Sequence, residues 1–316
     1  MIRADLVTGF LGSGKTTFIK KYAAHFLAMG EKVGILENDY GAVNVDRLLL
    51  SELESDGCII ETIAGACDRD CHYRRFKTKL IALAMTGCDR VIIEPSGIFD
   101  TEEFFDVLRE EPLDRLYEPG AVITVVDAAL QIELSDSARY LLACQCAAAG
   151  RIVFSRTQLC SAEQTERTKQ RIADILSDAG SKRVLLADEI TETDFDRLSA
   201  DELQEISRSG CRTDSIPKKS GDEKSFGTLY FMNTGLTEQT AFDGIHSLLK
   251  SEDGKAVLRV KGFVKSKDGW SEINATRDAV NISPCADGQD VIIVIGEGLC
   301  KERIRSYFDL QDDKEQ

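Results

Sequence analysis

A glycine-rich segment near the amino terminus restricts the possible folds of this chain more than any other feature. Residues 9–16 read Gly-Phe-Leu-Gly-Ser-Gly-Lys-Thr and match the pattern G-x-x-x-x-G-K-[ST]. An apolar run at residues 2–8 precedes them, and residues 15–28 have the composition of a helix. A strand, this loop and a helix in that order are typical of phosphate-binding loops, so the sequence predicts a site for a nucleoside triphosphate.

The residues of this loop have separate predicted roles. The glycines let backbone N–H groups turn inwards around a β-phosphate, and the dipole of the following helix adds to the attraction. We expect Lys15 to bridge the β- and γ-phosphates and the Thr16 hydroxyl to bind Mg²⁺. The predicted nucleotide-binding residues of the loop are Gly9, Gly12, Ser13, Gly14, Lys15, Thr16 and Thr17.

A carboxylate at a neighbouring strand end would complete the magnesium site. Residues 91–94 are an apolar run that ends in Glu94 and continues into Pro-Ser-Gly. In nucleotide-hydrolysing proteins such a carboxylate holds Mg²⁺ and its water, and a following backbone amide senses the γ-phosphate. Lys15, Glu94 and Gly97 are therefore the predicted catalytic residues, and Thr16 and Glu94 the predicted Mg²⁺ ligands. The alternative is an ordinary strand that ends in a polar turn.

The alternation of short Val- and Ile-rich runs with helical stretches predicts an α/β fold of the P-loop class, with a doubly wound, mainly parallel sheet. The predicted strands are residues 2–8, 32–37, 91–94, 121–127, 151–154 and 183–186. The predicted helices are residues 15–28, 72–86, 101–109, 136–149 and 162–177.

The order of elements changes after a polar stretch, which predicts a second domain. Residues 209–225 contain a proline, glycines and a lysine pair and have the composition of a linker. The predicted domains are residues 1–208, which bind the nucleotide, and residues 226–316, a smaller α+β domain with an antiparallel sheet. Its predicted strands are residues 228–232, 257–264, 270–275 and 291–295, and its predicted helices are residues 238–250 and 301–308.

Charge and composition exclude several classes of partner. The chain has 54 acidic and 39 basic residues, a net charge of −15, so we expect no nucleic-acid partner. No stretch approaches the roughly 18 apolar residues of a membrane span, and the first apolar run leads directly into the glycine loop. Ten cysteines without a secretory pattern indicate a reducing compartment. We therefore expect a cytoplasmic protein with no membrane contact.

Five segments together resemble the CobW-like GTPases, relatives of the urease and hydrogenase nickel-insertion GTPases. Residues 7–17, 37–41 and 93–97 are similar to their nucleotide-binding segments, residues 125–128 to their central strand, and residues 258–263 to a signature of their C-terminal domain. The resemblance implies a slow GTPase, a monomer or homodimer, that couples GTP hydrolysis to the transfer of Zn²⁺, Co²⁺ or a similar ion to a metalloprotein client.

The first departure from the family concerns its metal-binding motif, C-x-C-C. Residues 66–72 read Ala-Cys-Asp-Arg-Asp-Cys-His instead. Two thiols and an imidazole are ligands that Zn²⁺ accepts, so Cys67, Cys71 and His72 are predicted transition-metal ligands. A fourth ligand would come from Glu37, Asp68, Asp70 or a water molecule. The alternative is a rearranged loop whose cysteines bind nothing.

The second departure concerns base recognition, for which the family has an N-K-x-D motif. Here residues 155–158 read Ser-Arg-Thr-Gln, so Ser155, Arg156 and Gln158 are the predicted base-binding residues. Gln158 offers a carbonyl without a charge, and the Arg156 stem can stack on a purine. We expect GTP to be preferred, with ATP or a relaxed preference as the alternative.

Two other functions fit the same loop. One is a metal-independent switch that binds a partner protein in one nucleotide state, and the other is a P-loop kinase whose C-terminal domain presents the acceptor. Phosphate release without an acceptor would favour hydrolysis, and phosphate transfer to an added metabolite would favour the kinase.

Overall fold

The structure is a computed structural model of the 316-residue chain. It describes residues 1–10, 12–38, 50, 53, 57–63, 69–95, 101–130, 134–212, 216, 226–267, 269–277, 279–285 and 288–310. Contacts within the chain define two compact units, the first within residues 1–219 and the second including residues 220–316. The exact domain bounds at residues 208 and 226 stay a prediction.

The first unit contains a sheet whose described strand pairs are all parallel. Its strands are β1 (Ile2–Thr8), β2 (Val33–Asn38), β3 (Ile59–Ile63), β4 (Arg90–Pro95), β5 (Tyr117–Asp127), β6 (Arg151–Ser155) and β7 (Ile190–Thr191). They are ordered β3-β2-β4-β1-β5-β6-β7. Because the order reverses beside β1, the carboxyl end of β1 lies at the crevice where ligands bind in such sheets.

Helices cover both faces of this sheet. They are α1 (Lys15–Ala28), α2 (Arg69–Met85), α3 (Thr101–Leu108), α4 (Leu113–Leu116), α5 (Asp136–Ala148), α6 (Ala162–Asp178) and α7 (Ala200–Ser207). Successive residues of β1 point to opposite faces, so Val7 packs in one core with α1 and α7 side chains while Leu6 packs in another with α2 and α3 side chains. The predicted doubly wound α/β fold is confirmed.

The predicted strand at residues 183–186 is wrong. Val184 and Leu186 are 76% and 53% exposed. Arg183 turns inwards instead, and its guanidinium donates to the Ala147 carbonyl at 3.3 Å and to Glu189 Oε2 at 3.1 Å. Because a buried guanidinium needs these acceptors, the segment lies against the end of α5. The strand that pairs with β6 is instead the two-residue strand β7.

The elements of the first unit that were not predicted include β3 and α7. The strand β3 contains Glu61, which breaks its apolar pattern, but the Glu61 carboxylate lies 2.6 Å from the Lys79 ammonium of α2. The helix α7 is short and begins with a capping box, in which Ser199 and Glu202 exchange hydrogen bonds between side chain and backbone. β3 therefore depends on a partner that is distant in sequence, and α7 depends on a local cap.

A buried polar network joins β1, β4, β5 and α1. Asp5 and Arg90 form an ion pair, with side chains 0% and 4% exposed. The Asp5 carboxylate also accepts from the Tyr22 hydroxyl at 2.9 Å and from the Ala121 backbone N–H at 2.8 Å. A Cβ added at Gly120 would lie 2.0 Å from Asp5 Oδ1, so only glycine leaves room for this carboxylate.

The second unit is a smaller α+β structure. Its strands are β8 (Phe226–Met232), β9 (Val257–Ser266), β10 (Gly269–Ala275), β11 (Val280–Cys285) and β12 (Val291–Glu297), and its helices are α8 (Glu238–Lys250) and α9 (Lys301–Ser306). The strand order is β11-β10-β9-β12-β8. The strand pairs are antiparallel, which confirms the predicted antiparallel sheet. β11 was not predicted, because its side chains are partly or fully exposed and its apolar pattern is weak.

A helix that spans a membrane is long and apolar over most of its length. In these ranges no helix combines the length and apolarity that crossing a membrane requires.

Candidate nucleotide-binding site

The phosphate-binding loop leaves β1 and enters α1 through backbone conformations that favour glycine. The φ angles of Gly9, Gly12 and Gly14 are 143°, 75° and 95°. At Gly9 a side chain is also sterically excluded, because an added Cβ would lie 2.2 Å from the Val125 carbonyl oxygen. The loop therefore needs glycine at these positions to curl against β5.

The ammonium group of the loop lysine lies against the loop backbone. Lys15 is the first residue of α1 and is 7% exposed. Its Nζ donates to the carbonyls of Gly9 at 3.0 Å and Phe10 at 3.3 Å. These contacts hold the positive charge at the mouth of the loop, at the amino end of a helix, where anions are attracted.

The two predicted magnesium ligands are in direct contact. The Thr16 hydroxyl donates to Glu94 Oε1 at 2.9 Å, and Glu94 is 6% exposed at the end of β4. A hydroxyl and a carboxylate oxygen are the hard oxygen ligands that Mg²⁺ prefers, so these residues fit that ion. Glu37 of β2 pairs in register with Glu94 and is 1% exposed, so the two carboxylates lie side by side on one face of the sheet.

The predicted base-binding segment lies next to the phosphate-binding loop. Ser155 ends β6, and a Cβ added at Gly14 would lie 3.3 Å from the Ser155 Cβ. Arg156 follows in a left-handed conformation with φ 55°, and its Nη2 donates to the Gly12 carbonyl at 2.8 Å. Gln158 is exposed in the short 3-10 turn Thr157–Leu159. The structure thus brings these predicted residues together at one edge of the sheet.

Comparison with known proteins assigns a family to this site. Residues 4–182 match the nucleotide-binding domain of the CobW/HypB/UreG family. The chain belongs to this family. The resemblance seen in the sequence is confirmed.

Two relatives named zinc chaperones are similar to more than half of the chain. The zinc chaperone YeiR of Escherichia coli (strain K12) is 27% identical over 305 residues, which cover 89% of this chain and 88% of the relative. The zinc chaperone YjiA of the same organism is 29% identical over 187 residues, covering 55% of this chain and 54% of the relative.

Solved structures of the family are more distant. The Zn(II)-bound YjiA GTPase from E. coli is 18% identical, covers 98% of this chain and 99% of its own, and has a TM-score of 0.37. The hydrogenase maturation factor HypB from Archaeoglobus fulgidus is 18% identical, covers 66% of this chain and 91% of its own, and has a TM-score of 0.41.

Some of the residues predicted for the site lie outside the described residues. These are Gly97, Cys67 and Asp68. Cys71 and His72 belong to the first turn of α2, which begins at Arg69, but the described atoms do not include their side chains. Within the described ranges no group of three or more His, Cys, Asp or Glu residues is arranged to hold a metal ion. The transition-metal site stays a prediction.

Sequence reasoning missed one residue of this CobW-family site. Asp127 ends β5, pairs in register with Ser155, and forms an ion pair with Arg156. The signal was present, because a carboxylate at the carboxyl end of a parallel strand lies at the ligand-binding edge. The resemblance of residues 125–128 to the family's central strand gives this side chain no role.

Proposed function

We propose that this protein binds and hydrolyses a purine nucleoside triphosphate, with GTP preferred over ATP, and couples its nucleotide state to delivery of a metal ion. The observation that carries the proposal is the contact of Thr16 with Glu94 beside the loop that holds the Lys15 ammonium. Membership in the CobW/HypB/UreG family supports it.

Hydrolysis would proceed by in-line attack of water on the γ-phosphate. Lys15 would neutralise charge on the β- and γ-phosphate oxygens, and the loop amides would hold the β-phosphate. Thr16 and Glu94 would hold Mg²⁺, which supplies further charge neutralisation when it is bound. Gly97, three residues after Glu94, would report the loss of the γ-phosphate through its amide.

Base selection depends on Gln158, which stands where the family motif has an aspartate. A carboxylate at position 158 would accept both guanine N–H groups, whereas Gln158 offers one neutral carbonyl. We expect Mg²⁺-GTP to bind about tenfold more tightly than Mg²⁺-ATP, since neutral hydrogen bonds contribute about 1 kcal/mol. Gln158→Asp should increase this ratio by a further factor of about ten, because hydrogen bonds to charged groups are stronger.

Calorimetric titration with both nucleotides measures these ratios, and steady phosphate release measures turnover. Tripolyphosphate, which has no base, is the matched control, and its Kd should be the same for wild type and Gln158→Asp. Tighter binding of ATP than of GTP by the wild type would contradict the proposed preference. Phosphate transfer to an added metabolite instead of release would favour a kinase.

Metal delivery requires a metal-binding site, for which we propose four ligands. Relatives that cover this chain are named zinc chaperones, which supports Zn²⁺ as the ion. The proposed ligands are Cys67, Cys71 and His72, with Glu37 at the end of β2 as the fourth. Thiolates, an imidazole and one carboxylate suit a soft divalent ion, with Co²⁺ as the second choice.

The double variant Cys67→Ser/Cys71→Ser is expected to weaken Zn²⁺ binding by about a hundredfold or more, because two thiolate ligands are lost. Zn²⁺ affinity is measured by competition with a chromophoric chelator, in the presence of GDP and of a non-hydrolysable GTP analogue. The control is Cys285→Ser/Cys300→Ser, which removes two thiols of the second unit. A difference between the two nucleotide states would measure the coupling.

Equal Zn²⁺ affinities of wild type and the Cys67/Cys71 variant would refute the ligand assignment. If nucleotide hydrolysis then proceeded without the metal and a partner protein bound one nucleotide state, the metal-independent switch would be the better description. The hydrolysis proposal would be unaffected by that result.

A further inference from the structure

Arg156 of the predicted base-binding segment forms an ion pair with Asp127, a carboxylate that has no role in the function proposed above. Asp127 and Arg156 are 28% and 46% exposed as side chains, so the pair lies at the surface of the nucleotide site. Register pairing of Asp127 with Ser155 places the two residues on neighbouring strand ends.

The Asp127 carboxylate is held by its own turn. Oδ1 accepts from the Ala129 backbone N–H at 2.9 Å, while Oδ2 accepts from Arg156 Nη1. The turn itself is fixed at Ala128, whose N–H donates to the Ser155 carbonyl at 3.0 Å and whose carbonyl accepts from the buried Thr168 hydroxyl at 2.7 Å. The carboxylate is therefore a fixed acceptor.

The guanidinium of Arg156 is fixed by two in-plane contacts. Nη1 donates to Asp127, and Nη2 donates to the Gly12 carbonyl of the phosphate-binding loop at 2.8 Å. Because a guanidinium is planar, two in-plane anchors determine the orientation of its faces. The left-handed backbone of Arg156, rare for a residue other than glycine, directs the side chain back towards the loop.

The charge balance of the pair indicates which part of a nucleotide it serves. The Asp127 carboxylate neutralises the guanidinium, which weakens its attraction for phosphate. Its in-plane donors are occupied on two sides, but its flat faces stay available for stacking on an aromatic ring. A purine base fits these faces better than a phosphate does.

We propose that Asp127 is a positioning residue for the nucleotide base: it holds the Arg156 guanidinium as a flat platform on which the purine stacks. This inference rests on the proposed function, since it requires a purine nucleotide in the loop. Asp127 does not touch the nucleotide itself and acts through Arg156.

The test is Asp127→Asn. The single amide oxygen can keep the bond from Ala129, which leaves the amide NH₂ facing the guanidinium donors, so the turn is preserved while the anchor is lost. We expect the Kd for Mg²⁺-GTP to rise about tenfold, as for the loss of a charge-assisted hydrogen bond. The Kd for Mg²⁺-tripolyphosphate, which has no base, and kcat at saturating GTP should not change.

Two controls make the result specific. Asp178→Asn removes a carboxylate from an exposed Arg–Asp pair elsewhere in the first unit, where Arg139 Nη2 lies 2.5 Å from Asp178 Oδ2, and should leave GTP binding unchanged. In an Arg156→Ala background, Asp127→Asn should have no further effect on the Kd for GTP, because Asp127 acts only through Arg156.

Three results would overturn the inference. The first is an unchanged Kd for GTP in Asp127→Asn. The second is an equal rise of the Kd for GTP and for tripolyphosphate, which would assign the pair to the phosphate-binding loop. The third is an additive loss of GTP affinity in the Asp127→Asn/Arg156→Ala double variant. Failure of the wild type to bind any purine triphosphate would instead refute the proposed function, and is distinguished from these by the wild-type titration alone.

Discussion

Lys15→Ala is expected to raise the Kd for Mg²⁺-nucleoside triphosphate by about a hundredfold or more. The lysine supplies the one ammonium that the phosphate pattern requires, and its Nζ is held at the loop mouth by the Gly9 and Phe10 carbonyls. Loss of a charge contact to phosphate in a largely buried position costs several kcal/mol of binding free energy, which is about two or more powers of ten in Kd.

The fold should survive this substitution. A cation at the amino end of a helix is opposed by the helix dipole, and alanine has the highest helix propensity, so the free energy of unfolding should be unchanged or slightly raised. Calorimetry measures the Kd, and thermal unfolding without nucleotide measures stability. Lys21→Ala is the control on the same helix, because its ammonium contacts the Asp196 carbonyl at 3.1 Å instead of the loop. Equal nucleotide affinities of Lys15→Ala and wild type would refute the assignment of the loop.

Asp5→Ala is expected to lower the free energy of unfolding by about 3–5 kcal/mol, which is the typical cost of breaking a buried ion pair by removing one partner. Arg90 would keep Glu31 at 3.1 Å and the Phe26 ring at 3.8 Å, but would lose its buried counter-charge. The Tyr22 hydroxyl and the Ala121 N–H would lose their acceptor as well.

The Tyr22 hydroxyl stays protonated at physiological pH, so it can donate its hydrogen bond to the Asp5 carboxylate throughout that range. Burial raises the pKa of Tyr22 well above its ordinary value, and the Asp5 charge raises it further. The phenol therefore stays protonated, so the effect of Asp5→Ala should not depend on Tyr22 ionisation between pH 6 and 8, a range about two or more units below the ordinary pKa of about 10.

Urea unfolding followed by circular dichroism measures the loss. Asp178→Ala, at an exposed pair with Arg139, is the control and should cost about 0–1 kcal/mol. The double variant Asp5→Leu/Arg90→Met removes both charges and should be more stable than Asp5→Ala, since no unpaired buried charge is left. A loss below 1 kcal/mol for Asp5→Ala would contradict the structural role of the network.

Elements that local signals specify were predicted closely, whereas elements that depend on contacts distant in sequence were not. Helices α1 and α8 were predicted with their observed bounds, because the signals that begin them are local: the glycine loop before α1 and the Thr237 capping box of α8. The segment at residues 183–186 was mispredicted, because its apolar side chains resemble a strand while the position of Arg183 is decided by carbonyls of α5 and by Glu189. β11, with few buried side chains, gave no apolar pattern to detect.

The candidate site shows the same division. The glycines, Lys15, Thr16 and Glu94 were predicted, since each belongs to a contiguous pattern next to an apolar strand. Asp127 was missed, because its importance depends on Arg156, which lies 29 positions later in the chain.

By itself, the sequence determined the phosphate-binding loop, the alternation of strands and helices and the family, because these follow from short-range patterns of glycine, charge and apolar residues. Only the tertiary structure decided which polar groups meet: Asp5 with Arg90, Thr16 with Glu94, and Asp127 with Arg156. These contacts join residues tens of positions apart, and the parallel sheet brings them together by aligning strand ends. Strand order and register decide which side chains become neighbours, and the residue types along the chain do not show that order.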